Sequence, residues 1–189
     1  MIADEPDNLC MDCGFCCDGT LFGYFVLTQG EDSAPLLAHG VRLLPEQKER
    51  VAAAQPCGAF RSGRCAVYTD RPAVCRNYRC DLLEDLGNGV LSLTEARGVV
   101  AKGRALRDAA LSCVAQTRGL PVGLSVVEAA QAADIAALGA NAETRRANAG
   151  LLMAWAALQV YLERHFQKRE NTAGGVVATA AANDPLPMG

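Results

Sequence analysis

The sequence predicts an α-rich protein with minor β structure, in which a small, irregular, cysteine-rich metal-binding module precedes a bundle of about three helices. Three observations predict it. Eight of the nine cysteines fall between Cys10 and Cys80 of the 189-residue chain. Aromatic and β-branched residues gather in one short stretch, Phe22–Thr28, which marks a strand. After about residue 90 the composition turns to Ala, Leu and Val, and two Ser-x-x-Glu boxes open long helical patterns.

Taken in order, residues 1–9 carry charge and little else and are expected to form a loose leader. The run Cys10-Met-Asp-Cys13-Gly-Phe-Cys16-Cys17 follows at once. As a helix it places Cys10, Cys13 and Cys17 on one face and turns Cys16 away; Gly14 equally permits a tight ligating turn. After the Phe22–Thr28 strand, Thr28 is expected to cap a short helix in the Glu31–His39 region. Pro45–Ala54 reads as a helix with proline in its first turn and Pro56 beyond its end. Between Cys57 and Cys65, Gly58 and Gly63 suit a hairpin-like loop that brings two thiols together, and Cys65–Tyr68 reads as a short strand. Asp70-Arg71-Pro72 has the form of an N-cap with proline just inside a helix that carries Cys75.

Three helices are expected in the second half. Ser92-Leu-Thr-Glu95 opens one that runs to about Arg118, and Ser125-Val-Val-Glu128 opens another to about Leu138. The third extends from about Ala142 to Lys168, with Leu151, Leu152, Trp155, Leu158, Leu162 and Phe166 at helical spacing. From Asn171 onward there is no periodicity, and a disordered tail is expected. The chain thus divides into a leader (1–9), a cysteine-rich module (10–90), a helical region (91–170) and a tail (171–189).

A net charge of -3 gives no global attraction to nucleic acid or anionic lipid. The acidic N-terminus lacks a positive n-region and an apolar h-region, so no signal peptide is read there. An uncharged apolar run of the roughly 18 residues that a membrane span needs is also missing. A cytoplasmic protein is expected, with a protein as its partner or substrate. In that compartment thiols stay reduced, so dense cysteines point to metal, and an odd total of nine fits a fully paired disulfide framework badly.

A C-x2-C pair wraps the backbone around an ion at a Zn–S distance of roughly 2.3 Å. Here the spacing occurs twice, at Cys10–Cys13 and Cys13–Cys16. The C-x2-C-x2-C row also matches the opening of the bacterial ferredoxin pattern, in which a distant cysteine completes a [4Fe-4S] site. Cys10, Cys13, Cys16, Cys17, Cys57, Cys65, Cys75 and Cys80 would fill two four-ligand sites. Zinc would divide them as pairs, and iron–sulfur as three and one with one and three. Either centre leaves negative charge on its thiolates, which Arg61, Arg64, Arg71, Arg76 and Arg79 are placed to offset as cofactor-binding groups; the same five could instead hold an anionic substrate or simply sit in solvent.

These two blocks, Cys10-x2-Cys13-x2-Cys16-Cys17 and Cys57-x7-Cys65-Ala-Val-Tyr68-Thr-Asp-Arg71-Pro72-Ala-Val-Cys75-Arg76-Asn-Tyr78-Arg-Cys80, resemble the CxxCxxCC or YkgJ-type family over roughly residues 8–82. That family is described as zinc- or iron-chelating, and its members are often labelled iron–sulfur proteins. The resemblance implies a metal- or cluster-binding protein that acts in electron transfer, metal handling or protein maturation. The cysteine pattern is also similar to that of FliB-type flagellin lysine methylases, which implies a lysine N-methyltransferase as an alternative; no GxGxxG-like loop accompanies it here. A zinc-stapled, non-catalytic adaptor is the third reading. Outside the pattern, Cys113 reads as a small buried hydrophobe, His39 and His165 as surface or helix-end residues, Tyr68 and Tyr78 as packing over the metal site, and Trp155 as helical core.

Overall fold

The computed structural model describes residues 7–47 and 50–167. The expected leader before residue 7 and the expected tail lie outside the described residues. The first helix, α1 (Asp7–Cys13), leads into a three-stranded antiparallel sheet made of β1 (Tyr24–Val26), β2 (Leu43–Gln47) and β3 (Arg50–Ala54). The strand order is β1-β3-β2, with Tyr24 opposite Ala54 and Leu43 opposite Ala53.

The sheet corrects the helix expected over Pro45–Ala54. Its residues are good helix formers, yet Ala53 and Ala54 are buried and β3 is the central strand, paired on both sides. Pairing and burial outweigh local preference. Proline is tolerated because Pro45 lies on the edge strand β2, where the register shifts between Leu44 and Gln47.

The short helix after β1 is α2 (Ala34–Ala38), but its N-cap is Ser33 and not Thr28. The expected hairpin is present as β4 (Phe60–Arg61) and β5 (Arg64–Cys65), with Ser62 and Gly63 both at positive φ, as a two-residue turn between twisted strands requires. The strand ends at Cys65 and does not continue to Tyr68. Helix α3 (Ala73–Asn77) carries Cys75 as expected, but Asp70 does not cap it. Pro72 is the N-cap, and Glu31 Oε1 accepts the Ala73 N–H at 2.6 Å. A further helix, α4 (Asp81–Gly87), starts directly after Cys80, where the sequence had signalled none.

Both serine boxes form. Ser92 opens α5 (Leu93–Arg118), which Gly119 closes in the left-handed conformation. Ser125 opens α6 (Val126–Ala133), and the helix expected to reach Leu138 breaks at Asp134, which caps α7 (Ile135–Leu138). The third expected helix is likewise split, into α8 (Ala142–Ala147) and α9 (Ala149–His165). The break is at Asn148, whose side chain donates to Thr144 O at 2.8 Å and so competes with helix continuation.

Two of the cores bear on the cysteines. Leu27, Leu36, Val41, Ala53, Ala59 and Val67 bury a small one against the sheet. The larger one mixes residues from both sides of residue 90: Leu9, Phe15, Leu21, Leu82 and Leu83 with Val100, Leu158, Leu162 and Phe166. Among the described residues, no helix is long and apolar enough to cross a membrane.

Candidate metal centre

The cysteine run is part helix and part turn, so the helical expectation, which put Cys17 with Cys10 and Cys13 and turned Cys16 away, holds only as far as Cys13. Helix α1 carries Cys10 and Cys13 and ends there. Gly14 follows at φ +72°, donates its N–H to Cys10 O at 3.2 Å, and lies against the Phe60 ring where a Cβ would collide. Glycine alone suits both the backbone angle and the contact. The chain then turns tightly, with the N–H groups of Cys17 and Asp18 both donating to Gly14 O.

That turn sends consecutive cysteines to different neighbours. Burial, first, pushes the Cys13 thiol up to about 12, and the nearby Cys80 and Cys10 add to the effect. Cys80 is pushed up to about 11, again by burial, with backbone N–H groups of α4 opposing and Cys10 adding. Cys16 is raised well above its ordinary value by burial and then by Cys80, Cys13, Cys17 and Cys10. Cys17 is raised by burial and then by a different group, Cys57, Cys65 and Cys75. Cys75 rises to about 12 through burial, with Cys57 and Cys65 adding and Arg71 opposing. These mutual influences link Cys10, Cys13, Cys16 and Cys80 on one side and Cys17, Cys57, Cys65 and Cys75 on the other, with Cys16 also opposed by its neighbour Cys17.

Separate elements build each set. Cys80 is the N-cap of α4, and Cys13, Cys16 and Cys80 pack on the large core. Cys57 and Cys65 pack on the small core, joined by the β4–β5 hairpin, while Cys75 arrives on α3. The seam between the sets is held by two hydrogen bonds: Gln55 Nε2 donates to Cys16 O at 2.9 Å, and Cys57 N–H donates to Cys17 O at 2.8 Å. Gln55 is buried, and its Oε1 has no hydrogen-bond partner among the described residues. Nothing in the sequence around Gln55 marked it.

All eight cysteines border one cavity of about 1030 Å³ that runs between the two cores. None of the nine cysteines forms a disulfide. The sulfurs are near enough to oppose one another's ionisation, yet among the described residues no three His, Cys, Asp or Glu side chains close into a site for a single ion. The sets are thus open arrangements around a shared space. Thiols that oppose one another's ionisation, half-buried except for the exposed Cys10 and Cys75, are poor acids on their own, and a cation offsets the cost of ionising them. An all-thiolate donor set of this kind fits zinc or iron–sulfur chemistry.

Of the arginines singled out from the sequence, Arg71, Arg76 and Arg79 border the cavity. Arg71 lies 3.8 Å over the Tyr68 ring and donates to Tyr68 O at 2.8 Å; Arg76 donates to Arg71 O. Arg61 and Arg64 sit on the exposed hairpin, where Arg61 donates to Gly58 O and His39 O. Tyr78 donates to Phe166 O at 3.2 Å, stacks edge-on to Phe22, and is held protonated by burial. Cys113 lies on α5 against the third apolar cluster, with Val114 and Leu138.

Residues 9–95 match the model of the CxxCxxCC family, described as a "putative zinc- or iron-chelating domain". No curated protein and no solved structure matches the chain. The matched segment contains both cysteine sets and the cavity-lining arginines. Residues 9–95, just under half of the chain, are thus similar to the CxxCxxCC family.

Proposed function

We propose that the protein holds two [4Fe-4S]-type centres, one on each cysteine set, and transfers electrons to or from a protein partner in a reducing, cytoplasmic environment. The observation that carries this reading is the division of the thiols: three from the C-x2-C-x2-C row with distant Cys80, and Cys17 with three distant cysteines. In two-cluster ferredoxins, too, the fourth cysteine of the row serves the other cluster. The eight cysteines border one cavity of about 1030 Å³, which leaves room for multi-atom centres.

Such centres supply one-electron exchange when bound. The chain's own part is to hold the thiolates, exclude bulk water and offset charge. Arg71, fixed on Tyr68 beside Cys75, is the cation best placed to stabilise the second set. The large core shields the first set through Phe15, Phe22 and Tyr78.

The test is anaerobic purification followed by iron, sulfide and zinc analysis. About eight irons and eight sulfides per chain, in a brown protein that one-electron reductants bleach, is the expected result. A colourless protein that holds two zinc ions would replace this reading with a structural one.

A further inference from the structure

We infer that α5, which continues beyond the family-matched segment, is the outer scaffold of the metal site, with Arg104 and Arg107 as positioning residues for both cysteine sets. The inference rests on the metal-binding reading above and extends it to residues that carry no thiol. Arg97, Arg104 and Arg107 recur at i, i+7 and i+10, within about 80° of one another around the helix. All three reach the cysteine run.

The grip falls on both sides of the Gly14 turn. Before it, Arg97 Nε pairs with Asp12 Oδ2 at 3.0 Å, and Arg104 donates to the carbonyl oxygens of Asp12 and Cys13. After it, Arg107 pairs with Asp18 Oδ2 at 2.7 Å, while Asp18 Oδ1 accepts the Thr20 N–H at 2.9 Å. Between the two holds, Phe15 inserts against α5. The Arg107–Asp18 side chains are only 22% and 21% exposed, against 52% and 48% for Arg97–Asp12. The first pair is shielded from solvent, and the second is screened and worth little.

This placement matters because Cys16 and Cys17 are neighbours that serve different sets. A small rotation of the turn between Asp12 and Asp18 redirects thiols in both at once, and metal donors tolerate little displacement. The turn has few apolar anchors besides Phe15, so the arginines of a long, capped helix supply its rigidity. Partners of this kind commonly change metal retention by 10–100-fold when removed.

The test uses the full chain with Arg107→Gln, Arg104→Gln, the double variant, Arg107→Lys and, for comparison, Arg97→Gln. Iron release to a chelator is timed anaerobically on loaded protein, and amide exchange of residues 12–20 is measured on metal-free protein. We expect release to quicken at least about tenfold in Arg107→Gln and more in the double variant. Arg107→Lys should recover most of the loss, and Arg97→Gln should stay near wild type. Exchange should quicken across residues 12–20 while α9 keeps its protection. Unchanged release from variants that load normally would overturn the positioning role and leave the metal reading intact. A wild-type protein that binds no metal would sink the metal reading, and the exchange data would then decide whether the arginines fix the turn. Should Arg107→Gln lose its helical dichroism, Asp18→Asn breaks the same pair from the loop side; normal release and normal exchange in that variant would equally overturn the inference.

Discussion

Phe15 packs directly onto Gly103: a methyl group at residue 103 would meet Phe15 Cε2 at 2.8 Å. The contact joins the middle of the cysteine run to the middle of α5, and it exists because the helix offers no side chain there. Gly103→Ala should therefore destabilise the protein. The gain in helix propensity is about 1 kcal/mol, while displacing a packed aromatic costs about 1–3 kcal/mol. Gly98 is in the same helix with nothing within 4 Å of its would-be Cβ, so Gly98→Ala should stabilise by up to about 1 kcal/mol. Chemical denaturation of both variants checks the contrast; a stabilised Gly103→Ala would refute the close approach.

The division of thiols predicts how metal is lost. On the proposed two-centre reading, Cys80→Ser and Cys75→Ser each remove one ligand, but from different sets. Each should keep about half the wild-type iron and the double variant almost none, with Cys113→Ser unchanged. If either single variant lost all of it, one shared centre would be the better description.

The metal-free protein should lose stability in alkali. Cys13 and Cys75 are raised from an ordinary 9.0 to about 12, and Cys80 to about 11. Between these values the unfolded chain has shed protons that the folded chain still binds, so unfolding free energy falls as pH rises. The stabilisation is intact below about pH 9 and is lost through about pH 11–12. Loaded protein, whose ligands are already thiolates, should not show this slope, and metal uptake should release protons. Anaerobic melts of both forms at pH 8, 9 and 10 (about one-unit steps across the onset) measure it; parallel curves would contradict the upward shift of these thiols.

Ser125 caps α6 while nearly buried, and its Oγ accepts the Glu128 N–H at 3.2 Å. Ser125→Ala should cost about 0.5–2 kcal/mol in an equilibrium unfolding experiment. The N–H of Val127, in the first turn of the same helix, donates to Gly19 O, so the loss should be felt in the loop after Cys17 as faster amide exchange.

Local signals were the legible part of the sequence. The Ser92 and Ser125 boxes, the hairpin between Cys57 and Cys65 and the strand around Phe25 depend on neighbours within a few residues, and all appear where expected. What misled was preference without context: Pro45–Ala54 has helical residues, but its partners are β1 and its own other half, which no local rule reveals. The break at Asn148 and the capping of α3 by Glu31 are side-chain choices made by the folded chain. The cysteine count and spacing pointed to two ligand sets, but their membership needed the turn at Gly14. Gln55 and Arg107 carry no motif; they act on the cysteines only through distance in space.

Because one peptide link joins Cys16 to Cys17, the two sets cannot be filled as strangers. Whatever motion the arginines of α5 leave to the turn is stilled for both sets by the first occupant, so the second uptake is favoured over the first. Native mass spectrometry during stepwise reconstitution should accordingly find empty and doubly occupied chains, with singly occupied ones scarce throughout.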